Sequence, residues 1–130
     1  MKTSILPALI ATFLLINCGG NPSQEASILN ADQFEKMMNE SQNKIVLDVR
    51  TPGEFETGFI SGAVLMNFHD ADFKEKVNTL DKSRSIFVYC ESGVRSNKAS
   101  VILKESGFED VYLLTGGLKD WRASGKSLSK

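Results

Sequence analysis

The sequence has few of the residues that build disulfide frameworks and metal centres. Its 130 residues include two cysteines, Cys18 and Cys90, and one histidine, His69. Two cysteines cannot form a disulfide framework, and a lone histidine beside Asp70 and Asp72 is typical of a solvated turn, so no metal site is predicted. The formal net charge is −1 and no block of like charges occurs, which argues against a nucleic-acid-binding surface. The length is that of one globular domain.

Long apolar runs are also missing, except at the N-terminus. Residues 5–16 are uncharged and mostly apolar and follow Lys2. The run has the length of a signal-peptide core and is shorter than the ~20 residues of a membrane-spanning helix. Its end, Leu15-Ile16-Asn17-Cys18, resembles the lipobox of bacterial lipoproteins, in which the cysteine is lipidated and becomes the mature N-terminus. Asn17 stands where that motif usually has Gly or Ala.

The lipobox resemblance implies a division of the chain. Residues 1–17 would be a signal peptide, 18–27 a tether lipidated at Cys18, and 28–130 the folded domain. The protein would be exported and held on the bacterial cell envelope, at the periplasmic face or the cell surface, by its lipid only. An ordinary secretory signal with an incidental cysteine and an uncleaved anchor remain alternatives. In the lipidated product Cys90 is a single free thiol in an oxidising compartment, which calls for an explanation.

Apolar runs in the remaining chain predict strands that alternate with helices. The clearest strands are 44–49, 85–89 and 110–114, with a further one at 63–66. Helices are predicted after a cap at Asn30, around 54–57, over 71–80, over 94–105 and after Gly117. Strands that alternate with helices indicate an α/β fold with a mostly parallel sheet and helices on both faces.

Cys90 lies between the strand 85–89 and the helix 94–105. The carboxyl ends of strands in open α/β sheets are positions where ligands bind. A tight loop there turns backbone N–H groups inward and the helix dipole adds positive potential, which together favour a nucleophilic thiolate. Arg95 either binds an anionic substrate or braces the loop. On position alone, a buried structural cysteine is an equally good interpretation.

Three segments resemble, in order and spacing, the signature motifs of rhodanese domains, and together they span roughly residues 28–128. They are the N-terminal motif LDVRTPGEF (47–55) with GFISGA (58–63), the active loop CESGVRS (90–96), and the C-terminal motif LTGGL (114–118) with Trp121 and Gly125. The resemblance implies a three-layer rhodanese-like α/β fold. Phe59 stands where the family usually has histidine, which we interpret as a structural variation.

The resemblance implies a sulfurtransferase. Sulfane sulfur would move from thiosulfate or a persulfide or polysulfide donor, through a persulfide on Cys90, to a thiol or cyanide acceptor, without metal or organic cofactor. Asp48 and Arg50 would brace the site, and Glu54 would do the same or pair with a nearby arginine. The persulfide-binding loop would comprise Glu91, Ser92, Gly93, Val94, Arg95 and Ser96. Because Glu91 places an acid in this loop, we hypothesise that the thiosulfate dianion is a poor donor.

Two alternatives remain open at this stage. Phosphatases and arsenate reductases related to rhodaneses use a Cys-x5-Arg loop, whereas four residues separate Cys90 from Arg95 here. Non-catalytic rhodanese-like modules bind partners and commonly lack the cysteine that this chain retains. The expected partners are a small sulfur-containing anion or persulfide donor and a thiol acceptor, and no oligomeric state is predicted.

Overall fold

Five parallel strands alternate with five helices along residues 25–130, the part of the chain that the computed structural model describes. The strands are β1 Ser27–Leu29, β2 Lys44–Asp48, β3 Val64–Leu65, β4 Ser85–Tyr89 and β5 Val111–Leu114. The helices are α1 Ala31–Glu40, α2 Pro52–Glu56, α3 Phe73–Asn78, α4 Val94–Glu105 and α5 Gly117–Ala123. The predicted α/β class is confirmed.

The strand order determines where the loop after β4 lies. The order is β1-β5-β4-β2-β3, every pairing is parallel, and β4 is therefore the central strand. Parallel strands end at the same edge of a sheet, so the segments that follow β2, β4 and β5 come together there. Cys90 directly follows β4 and thus lies in the middle of the carboxyl edge.

The side chains of β4 alternate between two buried cores, because successive strand residues point to opposite faces. Ile86 and Val88 pack with residues of α3 and α4 on one face. Phe87 and Tyr89 pack with residues of α1 and α5, including Trp121, on the other. Since both faces of the sheet are covered, the sequences of β2, β4 and β5 are nearly continuous apolar runs and do not alternate between polar and apolar residues. The predicted three-layer arrangement is confirmed.

Strand β1 was not predicted from the sequence. Its three residues have no apolar periodicity, and Ile28 is 66% exposed. The strand exists because it pairs with β5 along its whole length, and such tertiary pairing leaves little local signal. Helix α3 is shorter than the predicted 71–80, because Phe73 N donates to Asp70 O in a turn that precedes the helix.

Helix α2 begins at Pro52, earlier than the predicted 54–57. Thr51 is its N-cap and accepts a hydrogen bond from Glu54 N, while the Glu54 carboxylate accepts one from Thr51 N at 2.9 Å. This reciprocal capping satisfies two backbone donors of the first turn. Proline lacks the N–H that a first helical residue does not need, so Pro52 starts the helix instead of interrupting the chain.

The predicted signal peptide 1–17 and the lipidation site Cys18 lie outside the described residues. Of the predicted tether 18–27, only 25–27 are described, and Ser27 is the first residue of β1. Within the described range, no helix combines the length and apolar character that crossing a bilayer requires.

Candidate active site

Cys90 is fully buried, and its sulfur is the acceptor of a set of hydrogen-bond donors from the following loop. Gly93 N donates to Sγ at 3.1 Å and Ser96 N lies 3.4 Å from it. The Ser96 hydroxyl oxygen lies 3.3 Å from Sγ. Gly93 has a φ of 96°, a left-handed conformation that glycine adopts without strain, and it allows the loop to turn back over the sulfur. The loop is therefore wrapped around the thiol.

The N-terminus of α4 supplies further donors beside the sulfur. The first N–H groups of a helix have no partner inside the helix. Within residues 25–130, the amides of Ser92, Val94 and Arg95 donate no hydrogen bond to protein. These amides flank the two that already donate to Sγ. The loop thus combines satisfied donors at the sulfur with unsatisfied ones beside it.

Helix α5 determines which way the loop peptides face. Leu118 N donates to Cys90 O at 2.9 Å, and Lys119 N donates to Glu91 O at 3.0 Å. In a trans peptide the C=O and N–H point in opposite directions, so holding these carbonyls toward α5 turns the next amides away from it. Gly117 makes the approach possible, because a Cβ there would lie 2.4 Å from Cys90 O. This contact explains why the second residue of the Gly116-Gly117 motif is glycine.

Asp48 and Arg50 form a fully buried ion pair behind the loop. Arg50 Nε donates to both carboxylate oxygens at 3.0 Å, and Nη2 donates to Oδ2 at 2.7 Å. Nη2 also donates to Gly58 O at 2.7 Å and so ties the end of β2 to the segment after α2. Such a pair is retained at low dielectric only because nearly all its polar atoms are bonded. It supports the carboxyl edge of the sheet.

Glu91 bridges two arginines from different parts of the chain. Its carboxylate pairs with Arg122 of α5 and lies 3.6 Å from Arg50 Nη1. Among the described side chains, Arg50 Nη1 is the one buried nitrogen or oxygen without a hydrogen-bond partner. Glu91 is therefore the counter-ion of Arg122 and adds a second, more distant negative charge beside Arg50, whose direct partner is Asp48.

Arg95 braces the loop from outside. Its Nη1 and Nη2 donate to the two Glu54 carboxylate oxygens at 2.8 and 2.9 Å, a two-point contact that joins α4 to α2. This hydrogen bonding, opposed by partial burial and supported by Thr51, lowers the pKa of Glu54 to about 2. Of the two roles predicted for Arg95, the contacts match bracing.

The family model of the rhodanese-like domain matches residues 30–124, from the N-cap of α1 to the C-cap of α5. The chain belongs to the rhodanese-like domain family.

Relatives of this rhodanese-like domain include proteins named for two different activities. The thiosulfate sulfurtransferase GlpE of Shewanella oneidensis is 33% identical over 84 residues, which are 65% of this chain and 81% of that protein. The tRNA uridine(34) hydroxylase of Cytophaga hutchinsonii is 41% identical over 86 residues, which are 64% of this chain and 28% of the hydroxylase. The chain thus spans less than a third of that hydroxylase and most of the sulfurtransferase.

A solved structure shares the fold. The crystal structure of a rhodanese-like domain protein from Staphylococcus aureus matches with a TM-score of 0.67 at 27% identity, and the match covers 79% of this chain and 96% of that chain. The predicted fold class and the predicted single rhodanese-like domain are confirmed.

Several predicted site residues do come together in the domain, but not all of them point inward. Cys90, Gly93 and Ser96 make direct contacts, and Asp48 with Arg50 lies behind them. Val94 is 61% exposed, so its side chain is open to solvent and does not pack in the core that holds Cys90. Phe59 stacks on Phe55 with ring centroids 4.2 Å apart. Between Glu25 and Lys130, no cluster of three metal-ligating side chains occurs.

Sequence reasoning missed two contributors to the site. Arg122 was not singled out, because nothing in a short C-terminal helix signals a contact with a residue 31 positions earlier. The close approach of Gly117 was likewise not predicted, although a Gly-Gly pair before a helix is a signal for an unusual backbone. Glu54 was predicted to brace the loop or pair with an arginine, and it contacts Arg95.

Proposed function

We propose that this rhodanese-like domain is a sulfurtransferase that carries sulfane sulfur as a persulfide on Cys90. The observation that carries the proposal is the thiol held at the centre of a loop of hydrogen-bond donors at the end of the central strand. Named sulfurtransferases among the relatives support the same reaction class. The hydroxylase of Cytophaga hutchinsonii is a much longer protein, and this chain matches 28% of its length. Its name is therefore weaker support for the function of this chain than the name of the sulfurtransferase.

The reaction has two displacement steps. The Cys90 thiolate attacks the outer sulfur of a persulfide donor, the donor S–S bond breaks, and its electron pair leaves with the donor thiolate. With thiosulfate the leaving group is sulfite. An acceptor thiolate or cyanide then attacks the outer sulfur of the Cys90 persulfide, and the electron pair of the broken S–S bond returns to Sγ. No net oxidation or reduction of the protein occurs.

The unsatisfied amides of the loop support the persulfide intermediate. A persulfide anion carries its charge on the outer sulfur, one bond beyond Sγ. The amides of Ser92, Val94 and Arg95 lie next to those that already bind Sγ, and they are donors that an outer sulfur can use. Preorganised backbone donors stabilise developing negative charge without reorganisation at the moment of reaction.

We propose a persulfide or polysulfide as the preferred donor. The three arginines nearest the loop are each paired with a carboxylate: Arg95 with Glu54, Arg50 with Asp48, and Arg122 with Glu91. A thiosulfate dianion therefore meets guanidinium groups whose charge is already compensated. A persulfide carries less charge and needs less compensation.

The pairing of Arg95 also favours sulfur chemistry over phosphate chemistry. A phosphatase or arsenate reductase needs the arginine of its loop to hold an oxyanion, whereas both terminal nitrogens of Arg95 here bind Glu54. The four-residue spacing between Cys90 and Arg95 points the same way.

A turnover assay tests the proposed reaction. The protein is supplied with polysulfide, thiosulfate or an aryl phosphate, with cyanide as sulfur acceptor, beside the Cys90→Ser variant. We expect wild type to form thiocyanate from polysulfide faster than the uncatalysed reaction, and Cys90→Ser to show only the uncatalysed rate. Aryl phosphate hydrolysis without thiocyanate formation would assign the phosphatase class instead, and inactivity with every donor would leave a binding module.

We also propose export and lipid anchoring through Cys18, on the lipobox resemblance of residues 15–18. Metabolic labelling with a fatty-acid analogue should label the wild-type protein in the membrane fraction. The Cys18→Ser variant should carry no label. Equal labelling of both proteins would contradict the anchor.

A further inference from the structure

The hydroxyl of Ser96 lies between two acceptors. Its Oγ is 3.3 Å from Cys90 Sγ and 3.2 Å from Gly93 O. Ser96 and Cys90 are both fully buried, so bulk water does not take part in these contacts. A hydroxyl group has one proton to donate and two lone pairs that accept. It can therefore serve only one of the two acceptors at a time.

The protonation state of Cys90 decides whether the Ser96 hydroxyl donates to Cys90 Sγ or to Gly93 O. When the sulfur is a thiol, its S–H can donate to Ser96 Oγ, and the hydroxyl then donates to Gly93 O. When the sulfur is a thiolate it has no proton, so the hydroxyl must turn and donate to Sγ. Hydrogen bonds to a charged acceptor are roughly twice as strong as neutral ones, which favours this second arrangement once the thiolate exists.

The Gly93 carbonyl oxygen keeps a hydrogen bond when the Ser96 hydroxyl turns toward Cys90 Sγ. Gly93 O also accepts a hydrogen bond from Asn97 N at 3.0 Å, the first bond of α4. Turning the Ser96 hydroxyl therefore removes one of two hydrogen bonds at this oxygen and does not orphan a buried acceptor. Rotation of the hydroxyl hydrogen about the Cβ–Oγ bond is sufficient for the change, and Oγ itself stays where it is.

We propose that Ser96 is a hydroxyl switch that donates to Gly93 O while Cys90 is a thiol or persulfide and to Cys90 Sγ while it is a thiolate. The part concerning the persulfide rests on the proposed sulfur transfer. The inner sulfur of a persulfide is neutral, whereas Sγ carries charge before the donor is attacked and again after the acceptor has removed the outer sulfur. Ser96 thus assists Cys90 as nucleophile in the first step and as leaving group in the second.

The test measures the thiolate directly. Alkylation of Cys90 by iodoacetamide is followed on the Cys90 peptide by mass spectrometry across acidic to alkaline pH, in wild type and Ser96→Ala. We expect the midpoint of the variant to move to higher pH by about one unit, the size expected for losing a hydrogen bond to a charged group. Ser100→Ala is the matched control, because Ser100 Oγ donates to Asn97 O one turn further along α4.

Other charged groups around the sulfur are the same in all these proteins, so the difference isolates the hydroxyl. They are Asp48 at the end of β2, Arg50 just after it, Glu54 of α2, Glu91 in the loop, Arg95 of α4 and Arg122 of α5.

A second pair of variants separates the hydroxyl from packing. Ser96→Thr and Ser96→Val have nearly the same shape and differ in the hydroxyl. We expect the midpoint of the threonine variant near that of wild type and the midpoint of the valine variant near that of Ser96→Ala. Equal midpoints for wild type and Ser96→Ala, or for the threonine and valine variants, would overturn the switch. Alkylation needs no sulfur donor, so a protein that shows the shift but never gains sulfur would refute the proposed function and not the switch.

Discussion

At the scale of single residues, ion pairs between carboxylates and arginines connect the segments around the site. Glu54 caps α2 and also binds Arg95, so one side chain joins the N-termini of two helices. Glu91 lies between Arg122 of α5 and the buried Arg50, and so it links α5 to the segment after β2. The roles of both acids follow from contacts that are distant in sequence.

The Glu54 ion pair predicts a specific loss of stability in acid. Its pKa is lowered to about 2, chiefly by the hydrogen bond from Arg95, so the carboxylate contributes stability above its ordinary pKa of 4.5 and loses it as the pH falls toward 2. Glu54→Gln should lower the free energy of unfolding at neutral pH by about 1 kcal/mol or less, because the pair is partly exposed. The thermal midpoint of the variant should also fall less than that of wild type over this pH window.

The matched control for that measurement is Glu56→Gln, an exposed acid at the end of the same helix. The thermal midpoint of Glu56→Gln should change with pH as that of wild type does. If Glu54→Gln showed the same acid-induced loss as wild type, the pair with Arg95 would not stabilise the fold.

Glu91 predicts a change in donor preference. Glu91→Gln removes the carboxylate that pairs with Arg122 and lies 3.6 Å from Arg50 Nη1, so the KM for thiosulfate should fall about 3- to 10-fold, while that for a singly charged alkyl persulfide donor should change less. The measurement is steady-state thiocyanate formation with each donor. Glu75→Gln on α3 is the control for a general change in charge. An unchanged thiosulfate KM in Glu91→Gln would refute the idea that this acid disfavours the dianion.

At the scale of elements, α5 shapes the loop after β4. Gly117 has a φ of 61°, and a Cβ there would lie 2.4 Å from Cys90 O and 2.6 Å from Glu91 O. Both the backbone conformation and the contact exclude a side chain. The helix can therefore bind the loop carbonyls only if this residue is glycine.

Gly117→Ala should thus destabilise the domain by about 2–4 kcal/mol and slow sulfur transfer, since the loop has to move to relieve the contact. Gly53→Ala in α2 is the matched control, because nothing lies within 4 Å of its Cβ position and its φ is not positive. That variant should be neutral or more stable by up to about 1 kcal/mol. Denaturant unfolding measures both, and equal stabilities would contradict the role of α5.

Elements with a strong local pattern were predictable, and those formed by tertiary pairing were not. The buried runs at β2 and β4 and the capping residues of α1 could be identified from the sequence alone. β1 is short and largely exposed, and it forms by pairing with β5. The order β1-β5-β4-β2-β3 was not predicted either, because strand neighbours depend on how the helices cross between them.

At the scale of the whole molecule, the topology brings the three sequence motifs to one place. The active loop follows the central strand, the N-terminal motif supplies the buried Asp48–Arg50 pair and Glu54, and the C-terminal motif supplies the amides that hold the loop carbonyls. The motifs predicted which residues matter. Their contacts required the fold, as the pairing of Arg95 with Glu54 shows, since position alone left Arg95 equally suited to substrate.

If Cys90 carries the sulfur, intact-mass analysis of the protein detects it as added mass. The mass is measured after exposure to polysulfide and again after cyanide treatment, beside Cys90→Ser, which retains Cys18 and controls for sulfur on the other cysteine. We expect one added sulfur atom in wild type, lost on cyanide treatment and absent from Cys90→Ser. The same gain in Cys90→Ser, or no gain in wild type from any sulfur donor, would contradict it.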